Sequence, residues 1–378
     1  MQPKQLIINP SWEQFHLIQK LSRCGRVYFL YEQDRTIDPL LAELMTDKFP
    51  PILRFDLSDQ TTWPPRGCNF YSCQNDRSLL IESRMEQHYC SIPRTPTYRG
   101  ILSNNKGLVR RLLTEASVSQ PLYLVDPSVS EVEQFLERVG SIVIKPVDSC
   151  GSIGVTFLKK NDTDVNTKIK KAFELSLLNS GSSSFIVEQR VYGEHFIVES
   201  LGVEPVVVGA KQMSETTGSI ADSISFVSPL NPQISLNPIW ESVSATHKYL
   251  CKVLGYYNGH ASGEYIVDEN GIVYLVEIAG RGGGVWISSF ITNKLTGIDV
   301  EDWLINKVVD NSDLSKIFSS RCSGARLEYI GGFDINDASV GVKWGSNFVR
   351  VIWQNAFLHE GLCQDARDRI GMKISWID

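Results

Sequence analysis

The sequence lacks the features of an exported, membrane-bound or nucleic-acid-binding protein. No basic stretch followed by an apolar one stands at its start, and no run of about 18 uncharged apolar residues occurs anywhere. With 37 basic against 43 acidic residues, the formal net charge is -6, and no Lys/Arg-rich segment stands out. Nucleic-acid binding usually needs such a basic segment. These absences predict a cytoplasmic protein without membrane or nucleic-acid partners.

Paired cysteines are missing as well. The eight cysteines include no Cys-x-x-Cys pair, and the six histidines do not bracket them at zinc-like spacing. We therefore expect reduced thiols rather than a zinc site or a disulfide framework. With 42% hydrophobic and 21% charged residues over 378 positions, the composition is that of a folded protein of two or three domains.

The first hundred residues alternate short apolar runs with helical patterns. This order predicts a parallel βαβαβ unit with strands at 6–8, 27–30 and 52–55. The Gly-x-Gly-x-x-Gly of a dinucleotide site is missing after the first strand, where Asn9-Pro10-Ser11 stands. A helix over 78–88 and a proline-containing linker over 93–100 are predicted to follow.

The remaining chain is predicted to be α+β with antiparallel pairs. A helix is predicted over 104–116, with Asn104 as its N-cap. Beyond about residue 185 strand patterns dominate, interrupted by one helix near 239–254. The Ser/Thr/Gly/Pro-rich stretch 214–232 is predicted to be a mobile loop, and the tail from about Arg321 a small strand-rich lobe.

Residues 142–157 have the pattern of a strand, a Gly/Ser loop and a second strand, with Lys145 in the first strand. Such a loop can cover phosphates with backbone N–H groups, while a strand lysine adds a point charge. A plain hairpin with an exposed lysine fits the same pattern. These residues alone favour the plain hairpin.

A pair of carboxylates follows from counting. Asn270-Gly271, between two apolar runs, is a two-residue hairpin signal. Counting back from that turn pairs Glu269 with Ile272 and sets Glu264 opposite Glu277, with Cβ atoms about 4.5–5.5 Å apart. Carboxylates this close repel each other unless a cation lies between them, and a hard divalent cation suits oxygen ligands. The alternative is one glutamate on each of two solvated strand ends in a slipped register, but apolar residues on both strand faces favour the metal site.

Further charged residues flank these segments. Arg281 follows Glu277 by four residues on a glycine-rich run, where it could neutralise a phosphoryl or carboxylate group at the metal. Glu188 and Glu194 flank a strand end and could accept hydrogen bonds from an adenine amino group and a ribose diol. The patterns around His195 and His260 favour structural roles.

Taken together and in this order, the segments from about residue 90 to 310 resemble the ATP-grasp superfamily, in particular its carboxylate-amine ligases such as D-alanyl-D-alanine ligases and bacterial L-amino acid ligases. The resemblance implies an α/β N-terminal domain, then an α+β ATP-grasp fold with a small strand-rich C-terminal lobe. The expected boundaries are 1–95, 96–315 and 316–378. Residues 364–371 are loosely similar to the closing lobe of biotin-carboxylase-like enzymes.

The resemblance also implies roles for individual residues. ATP phosphates would contact Lys106 and Lys145, and the loop that contains Ser149, Gly151 and Ser152 would close over them. Adenine and ribose would contact Glu188, the backbone at Arg190 and Val191, and Glu194. Magnesium would bind Glu264 and Glu277, and the catalytic residues would be Lys145 and Arg281. Two positions depart from the family pattern: Ala279 stands where many members have an asparagine ligand, and Ser262 where a histidine is common.

The activity implied is an ATP- and Mg²⁺-dependent ligase that activates a carboxylate as an acyl phosphate and joins it to an amine. Small-molecule carboxylates and amines would be its partners, with amino acids as one substrate class and a homodimer as one assembly. Two alternatives keep the fold: transfer of the acyl group to a thiol or carrier protein, and nucleotide binding without catalysis.

Overall fold

The computed structural model describes residues 4–306 with short gaps, Ser319, and the backbone of three C-terminal strands. Outside the described residues lie 1–3, 12–13, 39–40, 43–44, 46–48, 73–74, 91–94, 96, 117, 150–152, 214–220, 258, 284–286, 307–318, 320–323, 334–347, 354–368 and 378. No helix among the described residues is long and apolar enough to cross a membrane.

The N-terminal part of the chain forms a parallel sheet in the order β3-β2-β1-β4. This confirms the parallel arrangement predicted from the alternation of apolar runs and helical patterns. The elements are β1 (Lys4–Ile8), α1 (Phe15–Cys24), β2 (Val27–Glu32), β3 (Ile52–Phe55), β4 (Cys68–Tyr71) and α2 (Asp76–Tyr89). Helix α2 begins where the Asn75 side chain accepts a hydrogen bond from the Ser78 amide.

Two short helices follow, α3 (Thr97–Ser103) and α4 (Lys106–Glu115). The linker predicted over 93–100 is therefore wrong at its C-terminal end. Prolines are common near helix starts as well as in linkers, which explains the error. The N-cap of α4 is Asn105, whose side chain accepts from the Leu108 amide, and not Asn104. Asn104 instead donates to the backbone carbonyls of Asp76 and Gly100.

A small antiparallel sheet has the order β5-β8-β6-β7. Its elements, with the two helices that cover it, are β5 (Tyr123–Val125), α5 (Val129–Val139), β6 (Ser141–Pro146), β7 (Thr156–Lys159), α6 (Val165–Leu178) and β8 (Phe185–Gln189). Strands β6 and β7 pair antiparallel, which confirms the hairpin predicted around Lys145. Ile142, Ile144 and Val187 pack against the helices in one buried cluster.

The large sheet has the order β13-β12-β9-β10-β11-β14-β16-β15. Its strands and the helix between them are β9 (Glu194–Leu201), β10 (Glu204–Met213), β11 (Ala221–Val227), α7 (Pro238–Val253), β12 (His260–Val267), β13 (Val273–Ala279), β14 (Gly324–Phe333), β15 (Phe348–Trp353) and β16 (Arg369–Ile377). The tail is strand-rich as predicted, and its strands extend this sheet. A π-helix (Ile287–Thr292), α8 (Asn293–Thr296) and α9 (Val300–Asn306) lie between β13 and β14.

Strand β11 lies inside the stretch 214–232 that the composition predicts to be a mobile loop. It pairs antiparallel with β10, so the loop prediction is wrong for residues 221–227, and residues 214–220 lie outside the described residues. Ile224 and Phe226 are buried on this strand. An alternating apolar pattern can thus specify a strand even where small polar residues dominate the composition.

The large sheet presents two different faces. Phe196, Val198 and Tyr265 pack toward α7 on one face. Ile197, from the same strand, packs on the other face with Phe29 and other residues of the N-terminal part. Because successive strand residues point to opposite faces, Glu264 shares the face of Ile197, its cross-strand partner. The candidate site therefore lies on the face toward the N-terminal part of the chain.

Candidate active site

Glu264 and Glu277 lie directly opposite each other on β12 and β13. The turn differs from the predicted two-residue one, because Asp268, not Glu269, pairs with Ile272, through a hydrogen bond of 3.1 Å. The register is then shifted by one residue at a β-bulge, where Val276 is the extra residue. The bulge restores the predicted pairing, so both carboxylates share one face.

A lysine accompanies each of these carboxylates. Lys106 Nζ lies 3.3 Å from a Glu277 oxygen, and Lys211 Nζ lies 2.7 Å from a Glu264 oxygen. Burial alone would raise the pKa of Glu264, but the Lys211 ammonium outweighs it and holds the pKa below its ordinary value. The Glu264 side chain is still 46% exposed, so a ligand can reach it from solvent.

Two carboxylates are a suitable protein contribution to a magnesium site. Mg²⁺ is usually held by one or two carboxylates together with substrate phosphates and water. Within the described part of the chain, no group of three or more His, Cys, Asp or Glu side chains is placed to hold a metal. Ala279, paired with Ser262 at the end of the hairpin, adds no oxygen ligand from its side chain.

Lys145 belongs to a buried charge cluster with Glu188 and Arg110. The Lys145 ammonium lies 2.8 Å from one Glu188 oxygen, and Arg110 Nε donates to the other oxygen at 2.8 Å. Arg110 Nη2 also donates to the Val276 carbonyl at 2.9 Å. All three charged side chains are at most 8% exposed. The cluster joins α4, β6 and β8 to the bulge on β13.

The pKa values in this cluster follow from burial and charge. Burial would raise the pKa of Glu188, but Arg110 and Lys145 together lower it to about 2. Burial lowers the pKa of Lys145, and the positive charges of Arg110 and Lys106 act in the same direction, while Glu188 opposes them. The carboxylate thus stays ionised between its two cationic partners. The adenine contact expected of Glu188 stays a prediction.

Lys106 connects the glutamate pair to the Gly/Ser loop. It is the first residue of α4, and its backbone amide donates to the Val147 carbonyl at 2.9 Å. Its ammonium donates to the Ser149 carbonyl and reaches Glu277. The structure therefore brings together Lys106, Ser149 and Glu277, and their predicted roles toward ATP and magnesium stay predictions. Gly151 and Ser152 lie outside the described residues.

The segment after β8 holds Arg190 by ring contacts. Its guanidinium lies 4.4 Å from the Phe157 ring centre and 4.9 Å from that of Tyr192. Its backbone amide donates to the Ser141 carbonyl at 2.9 Å. Adenine recognition at Arg190 and Val191 would therefore use the remaining backbone groups of this segment, and this role stays a prediction.

Glu194 does not join the glutamate pair. It stands opposite Val267, which is buried toward α7, so the alternation of the strand places it on the face away from Glu264. Its neighbour His195 is on the Glu264 face, where it lies opposite Lys211. Burial and Lys211 lower the pKa of His195, which favours a neutral imidazole. The ribose contact of Glu194 stays a prediction, and it would lie on the other face of β9 from the glutamate pair.

Arg281 is held by a carboxylate from the N-terminal part of the chain. Its Nε and Nη2 donate to the two oxygens of Asp76 at 2.7 and 2.8 Å, and Nη1 donates to the Gly282 carbonyl at 2.9 Å. The preceding Gly280 is fixed by Ser103, which accepts from its amide, and by Arg99, which donates to its carbonyl. The loop that carries Arg281 is therefore attached to α2 and α3.

A second attachment lies beneath the glycine run. Glu199 is fully buried and accepts hydrogen bonds from the Gly283 amide, Ser262 and Ser288. Its other close partner is His260 Nε2, at 2.7 Å. Burial would raise the pKa of Glu199, but His260 and these donors hold it below its ordinary value. The arrangement supports a structural role for His260, and Ser262 donates a hydrogen bond to the same carboxylate.

Sequence reasoning misses several residues of the site, and only some had a signal. Arg110 follows Lys106 by four positions, which places the two on one face of a helix. Lys211 lies two residues after Gly209 on β10, so the alternation of the strand places both on one face of the sheet. Asp76 and Arg99 come from helices far from Arg281 in the sequence, and no local pattern marks them.

No protein-family model and no curated protein matches this sequence. Solved structures do match over nearly the whole chain. An L-amino acid ligase from Bacillus licheniformis is 15% identical, with a TM-score of 0.70, over 99% of this chain and 93% of that one. The biotin carboxylase domain dimer of the Hydrogenobacter thermophilus 2-oxoglutarate carboxylase, in complex with MgADP, ADP and bicarbonate, is 13% identical, with a TM-score of 0.67, over 100% and 86%.

A third similar structure is the carboxyaminoimidazole ribonucleotide synthase of Aspergillus clavatus complexed with ATP. It is 12% identical, with a TM-score of 0.69, over 99% of this chain and 94% of that one. At such low identities the likeness establishes the fold.

Proposed function

The chain has the ATP-grasp fold, and we propose that it is an ATP-dependent ligase that joins a carboxylate to an amine. In the proposed reaction, a carboxylate oxygen attacks the terminal phosphorus of ATP and ADP leaves. The amine nitrogen then attacks the acyl carbon, loses a proton and expels phosphate. The observation that carries this proposal is the pairing of Glu264 with Glu277 among lysines and an arginine.

The charges suit phosphoryl transfer, which depends mainly on positioning and on neutralising charge. Lys106 and Lys211 contact the glutamate pair, and Arg281 is close enough to Glu264 to lower its pKa. Lys145 lies near Lys106. When ATP binds, its phosphates would replace these carboxylates as the partners of the lysines. We propose that the four cations surround the terminal phosphoryl group, where negative charge must be stabilised.

Glu264 and Glu277 are the proposed magnesium ligands. Mg²⁺ held there together with ATP oxygens would neutralise the phosphates during transfer. Each carboxylate would then exchange its lysine for the metal, which would turn Lys106 and Lys211 toward phosphate oxygens. The two lysines thus serve as counter-ions in the free protein and as phosphate ligands in the complex.

Amino acids are the substrate class we propose for both the carboxylate and the amine. The similarity to an L-amino acid ligase supports this choice, although the shared fold does not fix the substrate. A phosphate-release screen of L-amino acids in pairs, with ATP and Mg²⁺, tests it. The comparison set pairs amino acids with pantetheine thiols as acceptors. Higher turnover with the thiols would show that the acceptor is a thiol and not an amine.

The route through an acyl phosphate is tested with the carboxylate oxygens labelled by oxygen-18. One label should appear in the released phosphate after the amine attacks. An adenylating enzyme would instead leave the label in AMP and release pyrophosphate. That result would overturn the proposed mechanism without affecting the fold.

The metal assignment is tested by Glu277→Gln. We expect this variant to lose ATP turnover while its circular dichroism spectrum and melting temperature stay close to those of the wild type. Glu269→Gln is the matched control, because Glu269 is exposed in the turn of the same hairpin. Normal turnover by Glu277→Gln in limiting magnesium would refute the assignment.

A homodimer is the assembly that we propose, since one of the similar structures is a domain dimer. Light scattering after size exclusion would measure it, and a mass of 42.4 kDa would show a monomer. A cytoplasmic location stays a prediction.

A further inference from the structure

Arg281 reaches across the molecule to Asp76, a residue 205 positions earlier in the chain. The contact is bidentate, with both carboxylate oxygens accepting from the guanidinium at 2.7 and 2.8 Å. Bidentate pairs between arginine and carboxylate are among the strongest charge-assisted hydrogen bonds, and they fix the orientation of the guanidinium plane. Side-chain exposure is only 15% for Arg281 and 8% for Asp76. Solvent screening of this pair is therefore weak.

Asp76 is itself held rigidly. It is the first residue of α2, next to the N-cap Asn75. Its backbone carbonyl accepts a hydrogen bond from Asn104, two residues before Lys106. The stretch 104–106 therefore contains one proposed phosphate ligand, Lys106, and also fixes Asp76, the residue that holds the other, Arg281.

The backbone around Arg281 is fixed independently of Asp76. Ser103 and Arg99 hold Gly280, and Glu199 holds Gly283. These backbone contacts do not fix the direction of the long Arg281 side chain, whose guanidinium donates one hydrogen bond to the Gly282 carbonyl and two to Asp76. A free arginine side chain samples many rotamers, and this freedom must be lost when it binds a transferring phosphoryl group. Asp76 is placed to remove that freedom in advance.

We propose that Asp76 is a positioning residue for Arg281 and makes the N-terminal part of the chain a component of the active site. Asp76 orients the guanidinium toward the phosphoryl group and does not itself contact substrate. This inference rests on the proposed function, because it assigns Arg281 to the phosphoryl group. A purely structural bridge between the two parts of the chain is the competing explanation.

The two explanations differ in which ligand state responds to Asp76→Asn. The test uses calorimetric binding of two probes, MgADP alone and MgADP with aluminium fluoride, which imitates the transferring phosphoryl group. Because only the second probe occupies the phosphoryl position, Asp76→Asn should weaken its binding by about 10- to 100-fold, the scale of a misplaced catalytic group. MgADP binding should change less than about twofold, because Arg281 is assigned to the transferred group alone.

Three further variants sharpen the test. Asp76→Glu keeps the charge and should restore part of the lost affinity. Arg77→Gln is the control. Arg77 follows Asp76 on α2, and its replacement breaks the ion pair to Glu32 on β2 without affecting a contact of Arg281. Asp76→Asn should have no additional effect in an Arg281→Ala background, since the two residues act as one unit.

The results separate the inference from the proposed function. Equal weakening of both probes, or additive losses in the double variant, would show a structural bridge and overturn the inference. If Arg281→Ala binds aluminium fluoride as tightly as the wild type, Arg281 does not contact the phosphoryl group and the inference fails with that assignment. The label-transfer experiment judges the ligase reaction separately, so either result can stand without the other.

Discussion

Replacing Arg110 by methionine should expose the energetics of the buried cluster of Lys145, Glu188 and Arg110. The substitution keeps much of the apolar volume but leaves Glu188 with one cation instead of two. Removing one member of a buried ion pair typically costs about 3–5 kcal/mol, because an uncompensated charge stays behind. The Val276 carbonyl also loses a hydrogen bond.

The magnitude can be bounded from the pKa of Glu188, which the two cations lower from 4.5 to about 2. That shift corresponds to about 3 kcal/mol of stability. Because the folded-state pKa lies below the unfolded-state value, the contribution is fully present above about pH 5 and is lost as the pH falls toward 2. Without Arg110, the pKa of Glu188 should return toward its ordinary value.

The assay is urea unfolding at several pH values, followed by circular dichroism. We expect the free energy of unfolding of Arg110→Met to be about 3–5 kcal/mol below that of the wild type at pH 7. The difference should shrink by about 1 kcal/mol between pH 6 and pH 4, since the wild type loses the first part of the Glu188 contribution over that range and the rest only below pH 4. Arg111→Met, on the exposed side of the same helix, should change stability by less than about 0.5 kcal/mol.

A difference between Arg110→Met and the wild type that is the same at pH 6 and pH 4 would refute the role given to Glu188. A loss below about 1 kcal/mol at pH 7 would show that the cluster is hydrated in solution. The affinity for ATP gives a second measurement. With Arg110 absent, Lys145 should bind Glu188 more tightly and phosphate more weakly.

Three other predictions follow from separate features. Gly283→Ala should lower both melting temperature and turnover, because an added Cβ would lie 2.3 Å from a Glu199 oxygen, while Gly181→Ala, with its nearest atom at 3.5 Å, serves as the control. Burial raises the pKa of Glu301 to about 7. Because the folded-state pKa of Glu301 is raised, the wild type loses stability as the pH rises from about 5 to 7. Glu301→Gln should therefore be more stable than the wild type by roughly 1–3 kcal/mol at pH 8 but not at pH 4, as measured by urea unfolding. Amide hydrogen exchange in residues 149–154 should slow when an ATP analogue and magnesium are added, and unchanged protection would argue against a phosphate role for this loop.

The sequence predicts the elements whose determinants are local. The parallel N-terminal sheet follows from apolar runs separated by helical patterns, and the hairpin around Asn270-Gly271 follows from its turn residues. The opposition of Glu264 and Glu277 follows from counting alone, although the turn and the bulge each differ from the count by one residue. These two differences cancel.

The sequence does not predict contacts between distant segments. Asp76 meets Arg281, and Arg99 meets Gly280, only because α2 and α3 pack beside the end of β13. Nothing in the spacing of these residues encodes that packing. The placement of Glu194 shows a subtler limit, because the side chain of a strand residue changes face with a register difference of one residue. Sequence alone does not settle whether Glu194 or His195 faces the site.

The bulge at Val276 has a consequence for how this hairpin can change in evolution. Together with the bulge, the hairpin has a turn that is longer by one residue, Glu269, than a two-residue turn at Asn270-Gly271. Glu264 and Glu277 nevertheless have the same pairing that the two-residue turn would give without a bulge. Turn length and carboxylate position are therefore separable, and a relative could gain or lose a residue near the tip without moving either glutamate to the wrong face. The extra residue is not neutral, however, because its carbonyl is the acceptor for Arg110. Insertions and deletions should accordingly be tolerated in the turn at 269–271, whereas deletion of Val276 would disconnect β13 from the buried cluster of Lys145, Glu188 and Arg110.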